Sequence, residues 1–229
     1  MNVTATSPIS FLHNGVALPR LAASQLACRR GTRLLFKGLD LVVEAGQIVW
    51  VRGRNGRGKT SLLRLAAGLS VPDDGQVLWG ETPVRRASGF CERLVFIGHA
   101  NALKDDLTVT EALALLLHLH GRPHHAAALH AALERMGLHS RRDAMVLTLS
   151  QGQRRRVALA RLAAEREASL WILDEPFDAL DVDGVQRLND LLVEHRERGG
   201  SILLTSHRPL ADALLHAQQV DLDAYEPGN

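Results

Sequence analysis

The segment from Gly53 to Thr60 has the residue types and the spacing of a loop that wraps phosphate groups. It fits the pattern G-x-x-x-x-G-K-S/T, in which each fixed position has a physical task. Gly53, Gly56 and Gly58 let the backbone bend so that successive N–H groups point into one anion-sized nest. The pattern places the Lys59 ammonium at the β- and γ-phosphates and the Thr60 hydroxyl on a Mg²⁺ ion. This phosphate loop therefore predicts that the chain binds a nucleoside triphosphate.

A strand and a helix are needed to hold the phosphate loop in position, and the flanking sequence predicts both. Residues 47–51 have the apolar composition of a buried strand entering the loop, and residues 61–69 that of a helix leaving it. A helix that begins at the loop adds the positive end of its dipole to the phosphate site. The nucleotide-binding residues predicted here are Gly53, Arg54, Asn55, Gly56, Arg57, Gly58, Lys59, Thr60 and Ser61.

A second anion-binding device is predicted where Ser150 opens a helix. The turn of residues 150–153 combines a hydroxyl, unpaired backbone N–H groups and a helix dipole. The same pattern is common as an ordinary helix cap, so taken alone it leaves both interpretations open. As an anion site, it adds Ser150, Gly152 and Gln153 to the predicted nucleotide contacts.

An apolar run that ends in two acids predicts the metal ligand and the catalytic base. Residues 169–173 predict a buried strand, which Pro176 terminates. A buried strand that delivers a carboxylate beside a phosphate loop provides Mg²⁺ with a protein ligand. Because adjacent residues of a strand face opposite sides, Asp174 and Glu175 are expected to have different roles. Asp174, with Thr60, is predicted to hold the metal, and Glu175 to polarise the attacking water.

The order and spacing of these motifs resemble the nucleotide-binding domain of ATP-binding-cassette (ABC) transporters over about residues 22–222. Residues 149–153 (LSQGQ) are similar to that family's LSGGQ signature, with Gln151 in place of the first glycine. Asp181 resembles the aspartate of the family's D-loop, and His207 resembles its switch histidine. The resemblance covers nearly the whole chain.

This resemblance implies a set of roles for the residues that match the motifs. ATP is the implied nucleotide and Mg²⁺ the implied metal. Glu175 and His207 take catalytic roles, and Asp181 contacts the nucleotide. Two chains are implied to sandwich two ATP molecules, so that Ser150 and Gly152 of one chain face the γ-phosphate held by the other.

The order of the elements predicts an α/β fold, a P-loop ABC cassette with a mainly parallel core sheet, a small antiparallel β annex and a helical subdomain. Strands are expected near 23–28, 34–43, 47–52, 77–79, 94–97, 169–174 and 201–205. Helices are expected near 59–68, 109–120, 125–136, 151–166, 182–198 and 209–216. Residues 1–21 are expected to be a flexible tail, and residues 22–229 the nucleotide-binding domain, with its helical subdomain at about 100–165.

Two features of the sequence depart from the ABC pattern. The family places a glutamine before the helical subdomain, where it contacts Mg²⁺ and the membrane partner. No glutamine occurs in residues 96–103, and His99 or Ala100 stands at the expected position. The family also often stacks adenine on an aromatic side chain near the first strand, and residues 28–31 contain none. An arginine of this segment can either stack on the base or be a solvated surface residue.

Several short segments of the sequence are similar to the ATP-binding subunit of the haem exporter of bacterial cytochrome c maturation. They are residues 96–99, Leu107 and Thr108 with Glu111, and residues 171–185. This resemblance implies integral membrane subunits as partners, a homodimer of cassettes, and a peripheral location on the cytoplasmic face of the bacterial inner membrane. The alternative is the ATPase subunit of another ABC importer or exporter. A non-transport ABC ATPase is disfavoured because the chain has neither a heptad run nor a second cassette.

Composition excludes several other classes of protein. The 229-residue chain is 46% hydrophobic, with a net charge of +2, which is too mild to indicate a nucleic-acid partner. Residues 154–156 are three consecutive arginines, interpreted as a solvated helix face. Cys28 and Cys91 form no disulfide framework and no metal spacing. No apolar run is long enough to cross a bilayer, so a transporter containing this chain needs another chain to span the membrane.

Two of the histidines suggest a further hypothesis, a metal or haem site. His120 and His124 are spaced to share a helix face as metal or haem ligands, but Gly121 and Pro123 interrupt that helix, which disfavours such a site.

Arg54 and Arg57 stand at variable positions of the phosphate loop. Both can be solvated while their N–H groups serve the nest. Alternatively, Arg57 faces the seam between two chains and adds positive charge near the γ-phosphate.

Overall fold

The computed structural model describes residues 18–214 and 216–225. The strands are β1 Leu21–Arg30, β2 Arg33–Val43, β3 Ile48–Arg52, β4 Asp74–Trp79, β5 Thr82–Pro83, β6 Leu94–Ile97, β7 Leu170–Leu173, β8 Ser201–Thr205 and β9 Gln218–Asp221. The α-helices are α1 Lys59–Ala66, α2 Val109–Leu119, α3 Ala126–Arg135, α4 Gln151–Ala164 and α5 Val182–Glu197. Short 3-10 turns cover Cys91–Arg93, His139–Arg141, Val146–Thr148, Asp212–Leu214 and Leu222–Tyr225.

A parallel five-stranded sheet forms the core, in the order β6-β7-β8-β3-β9. Every residue of β7 and β8 is buried, as expected for central strands of a parallel sheet covered on both faces. The carboxyl ends of parallel strands meet at one edge of the sheet. That edge brings together the phosphate loop after β3, the two acids after β7 and Thr205 at the end of β8.

A second, antiparallel sheet has the order β2-β1-β4-β5. The hairpin between β1 and β2 closes with Arg30 opposite Arg33. Together with the core sheet and the helices, this sheet confirms the predicted α/β fold with a parallel core and an antiparallel annex.

Helices α2, α3 and α4 lie within the segment predicted as a helical subdomain, and α4 packs against both α2 and α3. Thr108 and Ser150 begin α2 and α4 with capping boxes, in which the cap side chain and the third helical residue bond each other's backbone N–H. The Ser150 hydroxyl accepts from the Gln153 N–H at 3.2 Å, and Gln153 Oε1 accepts from the Ser150 N–H at 3.0 Å. The turn that opens α4 is therefore fixed by its own side chains.

In three parts of the chain, the sequence prediction is wrong, incomplete or concerns residues outside the described ranges. The helix predicted near 209–216 is wrong, because the described residues of this range form only a 3-10 turn, at Asp212–Leu214, before the chain returns as β9. β9 was not predicted because only Val220 of its four residues is buried, which leaves no alternating pattern. Most of the predicted tail, residues 1–17, lies outside the described residues. Leu18 and Leu21 are already buried in the core around the annex.

His195 is a fully buried titratable side chain that packs α5 onto β7. Its ring stacks on Trp171, with 3.6 Å between ring centroids and 8° between planes. Nε2 lies 2.8 Å from the Ser169 carbonyl, so this nitrogen carries the proton of the neutral ring. Burial lowers the pKa of His195 to about 3. The stack packs α5 against the strand that precedes the two acids, and burial disfavours the protonated form of this histidine.

We expect this histidine to make stability depend on pH. Its pKa is about 3 when folded and about 6.5 when unfolded, so the unfolded chain binds the extra proton between these values. Stability is complete above the unfolded value and falls with pH below it, by about 2 kcal/mol from pH 7 to pH 5. Denaturant unfolding at both pH values should show a smaller loss in His195→Gln. His130→Gln, on an exposed histidine, is the control. Equal losses in wild type and His195→Gln would contradict this assignment.

Candidate nucleotide-binding site

A cavity of about 400 Å³ lies at the carboxyl edge of the core sheet, over the phosphate loop. It brings together residues that the sequence predicted from segments more than a hundred positions apart. Those of the predicted set that line it are Asn55, Gly56, Gly58, Lys59, Thr60, Ser61, Asp174, Glu175 and His207. Arg30, from the segment whose arginines were candidates for stacking on the base, also lines it. The remaining lining residues, which were not predicted as ligands, are Arg33, Leu35, His99 and Asp178.

The glycines of the phosphate loop have backbone conformations that other residues rarely adopt. Gly53, Gly56 and Gly58 have φ values of 140°, 76° and 98°. A Cβ on Gly58 would lie 3.0 Å from the Leu35 side chain, so the space is closed as well. Helix α1 begins here without a side-chain cap, which leaves its first N–H groups directed at the cavity. Unpaired N–H groups at the positive end of a helix form an anion site.

Lys59 supplies the positive charge of the loop. Its ammonium donates to the Gly53 carbonyl at 2.9 Å, across the bend of the loop, and the residue is buried. A lysine held over a nest of N–H groups attracts a phosphate from a second direction. The arrangement fits a polyphosphate.

Asp174 and Thr60 meet at the cavity floor as the sequence predicted. The Thr60 hydroxyl donates to Asp174 Oδ2 at 2.8 Å, and the Thr205 hydroxyl donates to Oδ1 at 2.9 Å. Mg²⁺ prefers hydroxyl and carboxylate oxygens, so this donor set fits the ion. Thr205 was not predicted, because a threonine that ends a buried strand has no sequence signal to distinguish it from an ordinary core residue.

Glu175 has an unusual backbone and a largely buried carboxylate. Its φ is 45°, and its N–H donates to the Thr205 hydroxyl at 2.8 Å. Oε2 accepts from the His207 N–H at 2.9 Å, and His207 Nε2 lies 3.4 Å from Oε1. Burial raises the pKa of Glu175, opposed by the His207 N–H. A carboxylate whose pKa is raised is a better proton acceptor, which suits a general base.

The predicted ligands around the start of α4 lie outside the described lining of this cavity. Ser150, Gly152 and Gln153 belong to the capped turn, where a Cβ on Gly152 would lie 2.6 Å from the Ala179 carbonyl. Asp181 begins α5, accepts from the Gly184 N–H at 2.9 Å and forms an ion pair with Arg156. The signature turn and the Ala179–Asp181 turn therefore pack together, away from the phosphate loop of the same chain.

Arg57 does not have either of the predicted roles. It is 5% exposed, Nε lies 2.9 Å from Asp223 Oδ1, and a terminal nitrogen donates to the Leu222 carbonyl at 3.4 Å. The more exposed Arg54 contacts the same Asp223 through its backbone N–H at 3.1 Å. The Arg57 side chain is therefore neither solvated nor near the phosphate cavity. The sequence could not reveal this, because the 3-10 turn that carries Asp223 follows the unpredicted β9.

The interpretation of Arg154, Arg155 and Arg156 as one solvated face is also wrong. Arg155 is 3% exposed. Arg154 and Arg156 form ion pairs with Asp105 and Asp181.

The structure also places the segments that depart from the ABC pattern. His99, and not Ala100, lines the cavity at the expected glutamine position. Arg30 and Arg33 line it from the β1–β2 hairpin, and no Phe, Tyr or Trp ring does so among the described lining residues.

The histidine hypothesis finds no support in the structure. Helix α2 ends at Leu119, so His120 and His124 do not share a helix face. His118 and His124 rings meet edge to face at 5.0 Å. No group of three or more potential metal ligands exists within the described ranges.

This fold and this cavity define an ABC-type ATPase. The family profile described as "ABC transporter" matches residues 36–178, and the chain belongs to that family. Within it, the chain groups with proteins named cytochrome c biogenesis ATP-binding export protein CcmA. The protein of that name from Albidiferax ferrireducens is 43% identical over 208 residues, which cover 90% of this chain and 99% of the relative.

Other similarities agree with this family. The CcmA protein of Shigella flexneri is 45% identical over 203 residues, 88% of this chain and 96% of the relative. A solved structure of a putative ABC transporter ATP-binding protein from Pyrococcus furiosus superimposes with a TM-score of 0.77 at 22% identity, over 91% of this chain and 100% of that one. Among the described residues, no helix has both the length and the apolar character needed to cross a membrane.

The contacts of Arg57 predict a loss of stability without a change in nucleotide preference. Arg57→Ala removes a buried side chain with its ion pair to Asp223 and its hydrogen bond to the Leu222 carbonyl, at a cost on the order of 1–3 kcal/mol. Arg54→Ala, on a side chain that is 69% exposed, is the matched control. Thermal melts and titrations with ATP and ADP should show a lower Tm for Arg57→Ala only, and an unchanged ratio of the two affinities. Selective loss of ATP binding would instead place Arg57 at the γ-phosphate.

Proposed function

We propose that this chain hydrolyses ATP to drive haem export during cytochrome c biogenesis. The observation that carries the proposal is the single cavity in which Lys59, Thr60, Asp174, Glu175 and His207 converge. It is supported by the names of the relatives, which describe ATP-binding export proteins of cytochrome c biogenesis. The runner-up is the ATPase subunit of another ABC importer or exporter, which would use the same cavity.

The phosphate loop binds the triphosphate in this account. The glycine nest and the free N–H groups at the start of α1 accept phosphate oxygens, and Lys59 adds a positive charge. Thr60 and Asp174 are the residues that would hold Mg²⁺. When bound, Mg²⁺ neutralises phosphate charge and orients the β- and γ-oxygens.

Glu175 activates the water that attacks the γ-phosphorus. Its carboxylate takes a proton from the water while the water oxygen bonds to phosphorus. The bond from phosphorus to the β–γ bridging oxygen breaks, and ADP leaves with the electron pair. The main-chain N–H of His207 orients the carboxylate by donating to Oε2 at 2.9 Å, and the ring Nε2 lies 3.4 Å from Oε1. The Thr205 hydroxyl contacts both acids: it donates to the Asp174 carboxylate and accepts from the Glu175 N–H.

A second chain completes the site in this proposal. Ser150, Gly152, Gln153 and Asp181 lie away from the cavity of their own chain. The capping box occupies the Ser150 hydroxyl and the Gln153 N–H, but the turn still lies at the positive end of the α4 dipole, which favours an anion. A homodimer in which each turn faces the partner's phosphate loop gives these residues a nucleotide contact. Integral membrane subunits would carry the exported molecule, and the dimer would sit against them at the cytoplasmic face of the bacterial inner membrane.

Lys59 is assigned to ATP binding and Glu175 to the hydrolysis step, so substitutions of the two residues should have different effects. Lys59→Ala removes a phosphate contact and should weaken ATP binding. Glu175→Gln keeps the shape of the side chain but removes the base, so ATP binding should persist while kcat falls by about 10²-fold or more. Equilibrium ATP titration measures the binding, and steady-state hydrolysis at saturating ATP measures kcat. An equal loss of ATP affinity in both variants would contradict the roles.

The haem proposal predicts a specific loss in cells. Cells that lack this chain should fail to attach haem to c-type cytochromes, as measured by haem staining of membrane and periplasmic proteins. The wild-type chain should restore staining, and Glu175→Gln should not. The content of b-type cytochromes, which bind haem without covalent attachment, is the control for haem supply. Normal c-type cytochromes in the deleted cells would favour another transported molecule.

A further inference from the structure

Arg155 on α4 is a buried cation whose guanidinium meets five oxygen atoms. Its contacts are the carbonyls of Gly98 at 2.9 Å, Asp174 at 2.9 Å, Glu175 at 2.8 Å and Pro176 at 3.4 Å, and Asn101 Oδ1 at 3.1 Å. Four of the five acceptors are main-chain carbonyls. The side chain therefore forms hydrogen bonds with the backbone of two separate segments.

Those two segments are the loop after β6, which contributes Gly98 and Asn101, and the turn after β7 that contains the two acids. Arginine has a planar fork of five N–H donors, which can reach several fixed acceptors at once. A lysine ammonium has the same charge but only three donors at a single point. The arrangement therefore requires the guanidinium itself.

Burial of this charge has an energetic cost that a hydrophobic core residue would not incur. Desolvation lowers the pKa of Arg155, whereas the carboxylates of Asp178, Asp174 and Glu175 raise it. Among the described residues, the hydrogen bonds of its guanidinium go to carbonyl and amide oxygens and not to carboxylates. A buried cation persists when its hydrogen bonds and the neighbouring negative charges together offset the desolvation cost.

The turn that Arg155 contacts contains a strained residue. Glu175 has a φ of 45°, and a non-glycine residue in this region costs about 1–3 kcal/mol unless its surroundings fix it. Its N–H is held by Thr205, and its carbonyl and that of Asp174 are held by one nitrogen of Arg155. Both peptide groups that flank Glu175 are thus restrained, and Arg155 provides the carbonyl side of the restraint.

We propose that Arg155 is a positioning residue for ATP hydrolysis, which fixes the backbone of Glu175 and links it to the helix that begins at Ser150. This inference rests on the proposed role of Glu175 as the base. Because Arg155 belongs to α4, a displacement of that helix moves the restraint on Glu175 and on the loop that carries His99. The turn at Ser150 and the water-activating carboxylate are thereby mechanically connected within one chain.

A second buried arginine on α4 provides a matched control. Arg161 is 8% exposed, donates to the Phe96 carbonyl at 2.7 Å, and has its pKa lowered by burial to about 10. It resembles Arg155 in burial, helix and type of acceptor. Its hydrogen bond to the Phe96 carbonyl contacts β6 and not the Asp174–Pro176 turn.

The test compares Arg155→Lys, Arg155→Gln and Arg161→Lys by steady-state hydrolysis and ATP binding, with rates expressed per folded, ATP-binding chain. We expect both Arg155 variants to lose at least about 10-fold in kcat, because a small misplacement of a catalytic group is costly. The KM for ATP should stay within about threefold of wild type, since the phosphate loop is untouched. Arg161→Lys should lose stability but keep its kcat. A wild-type kcat per folded chain in both Arg155 variants would overturn the proposal.

A double-mutant cycle separates this inference from the assignment of the base. If Arg155 acts through Glu175, adding Arg155→Lys to Glu175→Gln should lower the residual single-turnover rate by less than about threefold. The same factor of loss in both backgrounds would show that Arg155 acts independently, and would overturn the proposal. Full turnover by Glu175→Gln alone would refute the role of Glu175 instead, whatever Arg155→Lys does in the wild-type background.

Discussion

Asp174 and Glu175, two consecutive acids with different proposed roles, directly follow the buried strand β7. In an extended strand, Asp174 and Glu175 would point to opposite sides of the sheet. The chain departs from the strand at this point, with Glu175 at a φ of 45°, and both carboxylates line the same cavity. The rest of the site depends on this turn, because the proposed metal ligand and the proposed base are separated by only one peptide group.

The fold stabilises the turn with groups that arrive from three other elements. Thr205 at the end of β8 contacts both residues, His207 holds the Glu175 carboxylate, and Arg155 from α4 holds the carbonyls. Parallel pairing explains why β8 can do this, since its carboxyl end lies beside that of β7. The buried stack of Trp171 on His195 packs α5 against the same strand. Strain in the turn is thus opposed by neighbours on several sides.

The local motifs of the site were predictable from the sequence, but their supports were not. The phosphate loop and the two acids carry their signals within a few residues, and their elements follow from apolar runs of ordinary length. Thr205, Arg155 and Asp223 act through partners that are distant in sequence, and nothing local distinguishes them from a core threonine or surface charges. The error over Arg57 has the same origin, because its partner Asp223 lies beyond an edge strand with one buried residue. Burial of a charged side chain is a tertiary property, which composition and periodicity do not encode.

In the proposed mechanism, Thr60 and Asp174 form the metal site and Glu175 is the base. A crystal structure of the Glu175→Gln variant with ATP and Mn²⁺, which replaces Mg²⁺ and is located by its anomalous scattering, tests it most directly. The account predicts that the Mn²⁺ peak lies within coordinating distance of the Thr60 hydroxyl and beside Asp174, with the direct Thr60–Asp174 hydrogen bond broken. A metal bound elsewhere, with that 2.8 Å hydrogen bond intact, would contradict the account.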